Sequence, residues 1–121
     1  MDIQYMESDG VTFAEVTGEK KSIRDMASIM DLISDIAFNH HCDRVLVERE
    51  MIDESFFDLK SGFAGELTQK ITNYRMKLAV VGEFNLLESL ALKAYLYESN
   101  LGKTVRFTPD RDAAIAWLKK A

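Results

Sequence analysis

A chain of 121 residues, 47% hydrophobic and 29% charged, is long enough to bury one sizeable core and too short for two, so residues 1–121 are expected to form a single domain. Its net charge of −5, with no Lys/Arg-rich stripe, argues against nucleic-acid and anionic-membrane partners, which both require clustered positive charge. No apolar run approaches the roughly 18 residues of a membrane span, the opening Met1-Asp2-Ile3-Gln4 is unlike a secretory leader, and the single Cys42 suits a reducing compartment. A cytoplasmic protein is the expectation.

The first residues alternate, with Ile3 and Tyr5 on one side of an extended segment, Ser8-Asp9-Gly10 as a turn and Val11 to Val16 as the returning strand. This predicts a β-hairpin. After the polar connection Gly18-Glu19-Lys20-Lys21, Ser22 with Asp25 three residues on resembles a helix-capping arrangement. Ile23, Met26, Met30, Ile33 and Ala37, widened by Ile29, Ile36 and Phe38, predict a helix from 23 to about 39. Arg44 to Glu48 is short and β-branched, a third strand. Asp53 is placed to cap a short turn carrying Phe56, Phe57 and Leu59, and Gly62 and Gly65 precede a helix through Arg75 whose buried stripe is Phe63, Leu67, Ile71 and Tyr74.

Lys77 to Gly82 is a continuous apolar run closed by glycine, the pattern of a strand covered on both faces. Asn85 with Glu88 forms a second capping pair, and Leu87, Leu90, Ala91, Ala94 and Leu101 mark a helix that Gly102 can end in the left-handed conformation. Thr104 to Thr108 is the fifth strand. Pro109-Asp110 opens a last helix that buries Ala114, Trp117 and Leu118. The predicted fold is α/β: an N-terminal hairpin, then alternating helices and strands, giving a five-stranded, mixed and mostly parallel sheet with four main helices.

Phe56 to Glu66, Gln69-Lys70, Asn73-Tyr74-Arg75 and Leu78 to Phe84, extended by Tyr97 to Gly102, Val105-Arg106-Phe107 and Ala114 to Leu118, resemble an uncharacterised bacterial family, domain of unknown function 4180. The resemblance covers residues 44 to 118 well and implies no established activity. A looser similarity is to the STAS domains of anti-sigma-factor antagonists, which share the order of a hairpin followed by alternating elements. In those domains a serine near the start of the helix after the third strand is phosphorylated by a partner kinase, and Asp58 to Gly65 resembles that turn. Leu59 and Lys60 stand between Asp58 and Ser61, a departure from the usual Asp-Ser-Ser-Gly order.

Glu66, Gln69, Lys70 and Asn73 recur at i, i+3, i+4 and i+7, a polar stripe opposite Phe63 and Leu67 that presents an acid, an amide and an amine. The plain alternative is a solvated helix face. Gly62 and Gly65 near a helix start either admit an anion to backbone N–H groups or allow close helix packing, and no P-loop or dinucleotide fingerprint accompanies them. His40-His41-Cys42 lacks a second ligand cluster and reads as a polar helix end, so no metal is expected. Glu48, Glu50, Asp53 and Glu54 crowd the end of the third strand, where ligands of parallel sheets usually sit, but read as loop and helix-start charges. No Gly-x-Ser-x-Gly elbow or other catalytic motif is present, and no cofactor is implied.

The function expected from these patterns is a non-enzymatic regulatory or binding module of STAS-like fold, meeting a protein or small-molecule partner. Its surface is built around Ser61, Gly62, Gly65, Glu66, Gln69, Lys70, Asn73, Tyr74 and Arg75, with Glu98 and Asn100 beside them. The runner-up is a small-molecule-binding enzyme using Glu66 and Lys70. Self-association is expected through the helix that carries Phe63 to Tyr74. Ser61 is either a helix cap or, as the STAS similarity implies, a phosphate acceptor.

Overall fold

A computed structural model of the chain describes residues 1–84 and 89–121. Strand β1 (Asp2–Ser8) pairs antiparallel with β2 (Val11–Thr17) from Asp2↔Thr17 to Ser8↔Val11, leaving Asp9-Gly10 as a two-residue turn. Both turn residues have positive φ, 52° and 82°, as a type I′ hairpin requires, and Asp-Gly tolerates this where bulkier residues do not. The hairpin that alternation predicted is present.

From β2 the sheet grows in one direction. Strands β3 (Arg44–Glu48), β4 (Lys77–Val81) and β5 (Val105–Thr108) follow as parallel neighbours, so the order is β1-β2-β3-β4-β5. Helices α1 (Met26–Ile33), α2 (Phe63–Asn73) and α3 (Leu90–Leu101) make the three successive crossovers. Because such crossovers share one hand and the strands advance one way, the three helices lie on one face, over Val16, Val45, Val47, Leu78, Val80 and Phe107. Helix α4 (Arg111–Lys120) returns across the other face and buries Ala114 and Leu118, both fully, against Phe13, Leu46 and Ala79. Trp117, expected in that buried stripe, is only partly covered at its margin. Arg111 and Lys119 tie α4 to the hairpin through Glu15 at 2.8 Å and Asp9 at 2.7 Å.

Strand β4 is therefore sheathed on both faces, and Leu78, Ala79 and Val80 are buried as its unbroken apolar run predicted. The predicted class, a mixed and mostly parallel five-stranded α/β sheet with an N-terminal hairpin and four main helices, is the observed one. Among the described residues no helix is long and apolar enough to cross a membrane.

Element ends are where the pattern misled. Ser22 does not cap α1: Ile23 bridges Ile52 in parallel, its N–H donating to Met51 O at 2.9 Å while its carbonyl accepts from Asp53 N at 2.9 Å. With that backbone committed to strand-like pairing, the helix starts later. Asp25 is the cap, accepting from Ser28 N at 2.9 Å while Ser28 Oγ accepts from Asp25 N at 3.1 Å. These hydrogen bonds from Ser28, backbone first, hold the Asp25 carboxyl below its usual range. Beyond Ile33 the helix widens into a π-helical segment, Ser34–Asn39. Helix α2 ends at Asn73 rather than at Arg75, which adopts φ 55° in the left-handed region. Gly102 does not: its φ is −91°, and its N–H closes α3 on Ser99 O at 3.1 Å. The proposed Asn85–Glu88 cap and Leu87 lie outside the described residues.

Candidate functional site

The carboxyl ends of β3 and β4 open onto a cleft of about 380 Å³. Its walls come from three connections. Lys20 and Lys21 descend from the β2–α1 connection, Glu48, Arg49, Glu50 and Glu54 from the end of β3 and the segment after it, and Val81 to Glu83 from the end of β4, with Phe57 and Ile52 supplying apolar surface. Lys21 is held there by its backbone, whose N–H donates to Glu50 O at 2.8 Å. The lysine ammonium groups meet Glu50 at 3.6 Å and Glu54 at 3.7 Å, and all four side chains are well exposed. Such solvated pairs contribute little and exchange partners readily.

Arg49 is fixed differently. Its guanidinium lies 4.6 Å from the Phe57 ring centroid and 5.3 Å from that of Phe84, and it donates to the Glu83 carbonyl. Stacking between two aromatic faces orients this cation and removes most of its rotamer freedom. Gly82 makes room for it, since a Cβ at that position would fall 2.5 Å from Arg49 Cβ. The floor is therefore a fixed cation on an aromatic bracket, and the rim is a set of exchangeable ion pairs. Asp53 takes no part in this rim; its side chain caps the 3₁₀ turn Glu54–Phe57, and the Ser55 hydroxyl and N–H that it accepts from lower its pKa. The acids after β3 were legible in the sequence as charges at the carboxyl edge. Lys20, Lys21 and Arg49 were not, because only the Ile23–Ile52 bridge brings the two connections together.

The polar residues singled out on α2 lie on its outer side. Glu66, Gln69 and Asn73 are exposed and Lys70 half-buried, with Gln69 Nε2 donating to Asn73 Oδ1 at 2.8 Å. Among the described residues Glu66 and Lys70 form no ion pair. The stripe lies on the outer side of α2 and takes no part in lining the carboxyl-edge cleft. Its apolar partners Phe63, Leu67 and Ile71 are buried in the core. Tyr74 is half-buried, meeting Phe38 edge-on at 5.7 Å, and Arg75 and Glu98 are exposed.

Ser61 sits in the turn ahead of α2, where its Oγ accepts from Phe63 N at 3.2 Å and donates to the Ser55 carbonyl. Gly62 stands at the helix start with φ 79°, and among the described residues no atom from elsewhere in the fold lies within 4 Å of a Cβ built on it or on Gly65. Among the described residues no helix packs closely on these glycines, one of their two readings: Gly62 answers to its backbone conformation, and Gly65 meets none of the described elements. Asn100 is engaged with β5, its Oδ1 accepting from Phe107 N at 2.7 Å and its Nδ2 donating to Phe107 O at 3.0 Å.

At the opposite end of α1, His40 stacks on Tyr5 with ring centroids 4.0 Å apart, and its Nδ1 lies 3.0 Å from Asp35 O. Burial, and then the Asp35 carboxylate that accepts its hydrogen bond, push the Tyr5 hydroxyl up to about 12. Cys42 is 5% exposed, and burial raises its thiol pKa, which favours an inert thiol. Among the described residues no group of three or more His, Cys, Asp or Glu side chains is arranged to hold a metal ion.

A family model described as a domain of unknown function, DUF4180, matches residues 8–118, so the match takes in the cleft, α2 and α3 together. No curated protein matches the chain.

Proposed function

We propose that this chain, which belongs to the DUF4180 family, is a non-enzymatic regulatory or binding module of STAS-like architecture that takes a small charged ligand at the carboxyl edge of its sheet. The observation that carries this reading is the meeting of Lys20, Lys21 and Arg49 with Glu48, Glu50, Glu54 and Glu83 around one cleft whose walls include Ile52 and Phe57. Three cations set among four glutamates suit a zwitterionic ligand such as an amino acid or short peptide, whose carboxylate would meet the cations and whose ammonium the glutamates. The start of α2 follows in the same stretch of chain, so occupancy of the cleft would be felt by the Ser61 turn and the polar α2 face. An enzyme using Glu66 and Lys70 gains no support from their placement on an open helix face, since catalysis needs groups that converge on a pocket.

The test is an NMR titration with free amino acids and dipeptides of acidic, basic and neutral character. Binding should shift the backbone resonances of Lys20, Lys21, Arg49 and Gly82 at millimolar ligand or below, and the double substitution Lys20→Ala/Lys21→Ala should weaken it at least tenfold without changing the fold. Resonances that stay fixed around the cleft with every probe would remove the reading.

A further inference from the structure

Helix α3 carries two apolar stripes, and the domain uses only one. Leu92 and Leu96 are buried, and Tyr95 packs beside them with its hydroxyl 2.5 Å from Thr68 Oγ1 on α2. On the opposite side Leu90, Ala94, Tyr97 and Leu101 all face solvent, the three large ones at 81%, 68% and 71% exposure. Single exposed apolar side chains are ordinary, but a continuous line of them along one helix marks a contact surface. Spacings of four, three and four residues are those of a d-a-d-a seam, the pattern that pairs helices with each other.

The flanking charges say what covers it. With Leu90 and Tyr97 at d and Ala94 and Leu101 at a, Lys93 occupies g and Glu98 the following e. Two copies packed in parallel about a two-fold axis bring g of one helix against the next e of the other. Lys93 then meets Glu98 of the second copy twice over, once on each side of the seam. In antiparallel packing, which sets residue 90 level with residue 101, g flanks g and e flanks e, so Lys93 falls beside Asn100 and Glu98 beside Ala91, and neither meets an opposite charge. We infer that the chain forms a symmetric homodimer by parallel packing of α3 against α3, along the line Leu90, Ala94, Tyr97 and Leu101.

A two-fold contact of this kind is self-complementary and closed, so association stops at the dimer. It also leaves the cleft and the polar α2 face outside the seam. The seam runs about 17 Å at the helical rise of 1.5 Å per residue. That is short beside interfaces burying about 800 Å² per partner, so the dimer should form over the micromolar range and depend on concentration.

Sedimentation equilibrium of the full chain should show a monomer–dimer equilibrium, and Tyr97→Glu, at an exposed position, should weaken it at least tenfold with an unchanged circular dichroism spectrum. Lys93→Glu should weaken dimerisation by about threefold to tenfold, and Lys93→Glu/Glu98→Lys should restore it. Orientation is read by oxidation: Leu101→Cys alone should cross-link into a dimer, because residue 101 meets itself only in the parallel arrangement. A monomer at all concentrations up to several hundred micromolar would overturn the inference. So would cross-linking confined to mixtures of Leu90→Cys and Leu101→Cys chains, the antiparallel signature.

Discussion

Asn100 does for β5 what a sixth strand would do. Strand β5 is an edge, hydrogen-bonded to β4 on one side, and the outward N–H and C=O of Phe107 would otherwise be left unpaired beside a buried side chain. The Asn100 carboxamide satisfies both, in the geometry of a backbone amide, while the backbone carbonyl of Asn100 accepts from Arg106 Nη1 at 2.7 Å. The amide that a binding reading would offer to a ligand is thus occupied within the fold. Asn100→Ala leaves two partly buried groups without partners and should destabilise the domain by about 1–3 kcal/mol in urea unfolding. Asn100→Asp, which keeps the acceptor and loses the donor, should fall between the variant and wild type. A cost below about 0.5 kcal/mol for Asn100→Ala would mean that water replaces both bonds.

At the scale of elements, α2 is bounded by local chemistry at both ends. At its end Tyr74 N–H closes on Lys70 O, and Met76 N–H reaches back to Ile71 O at 2.9 Å, a Schellman-type closure with Arg75 in the left-handed position usually given to glycine. A sequence reading that relies on glycine to stop a helix runs past such an end. At its start the Ser61 hydroxyl bridges the Ser55 carbonyl and the Phe63 N–H. Ser61→Ala should therefore cost about 1 kcal/mol, the usual worth of a hydroxyl cap. The STAS-like architecture proposed above adds a second expectation, that a fraction of Ser61 carries phosphate in the native host, visible as added mass in intact-protein spectrometry and lost in Ser61→Ala. A wholly unmodified population across growth conditions would leave Ser61 as a cap alone.

For the whole molecule, the one-directional advance of β2 to β5 places β4 under α2 and α3 on one face and α4 on the other. Amide hydrogen exchange should find Leu78 to Val81 among the slowest residues, opening only with global unfolding. Val80 has no exposed surface, so Val80→Asp buries an unpaired carboxylate and should prevent folding at neutral pH, read as loss of the cooperative transition. Rapid exchange in β4, with protection concentrated in the hairpin instead, would contradict this arrangement of the core.

The sequence by itself determined whatever depends on periodicity and on near neighbours along the chain. The Asp-Gly hairpin, the alternation of strands and helices, the apolar run of β4 and the buried stripe of α2 are all written within a few residues, because side-chain repeat and turn conformation are local properties. Only the tertiary structure decided which of two apolar stripes on α3 faces the sheet. Leu90, Ala94 and Leu101 satisfy a helical pattern as well as Leu92 and Leu96 do, and the choice rests on the packing of Tyr95 against α2 and of the helix against β5. The cleft was likewise out of reach of local reading. Its lysines and its arginine stand some thirty residues apart along the chain, and it is the parallel bridge between Ile23 and Ile52 that gathers them, a long-range backbone pairing that no spacing encodes.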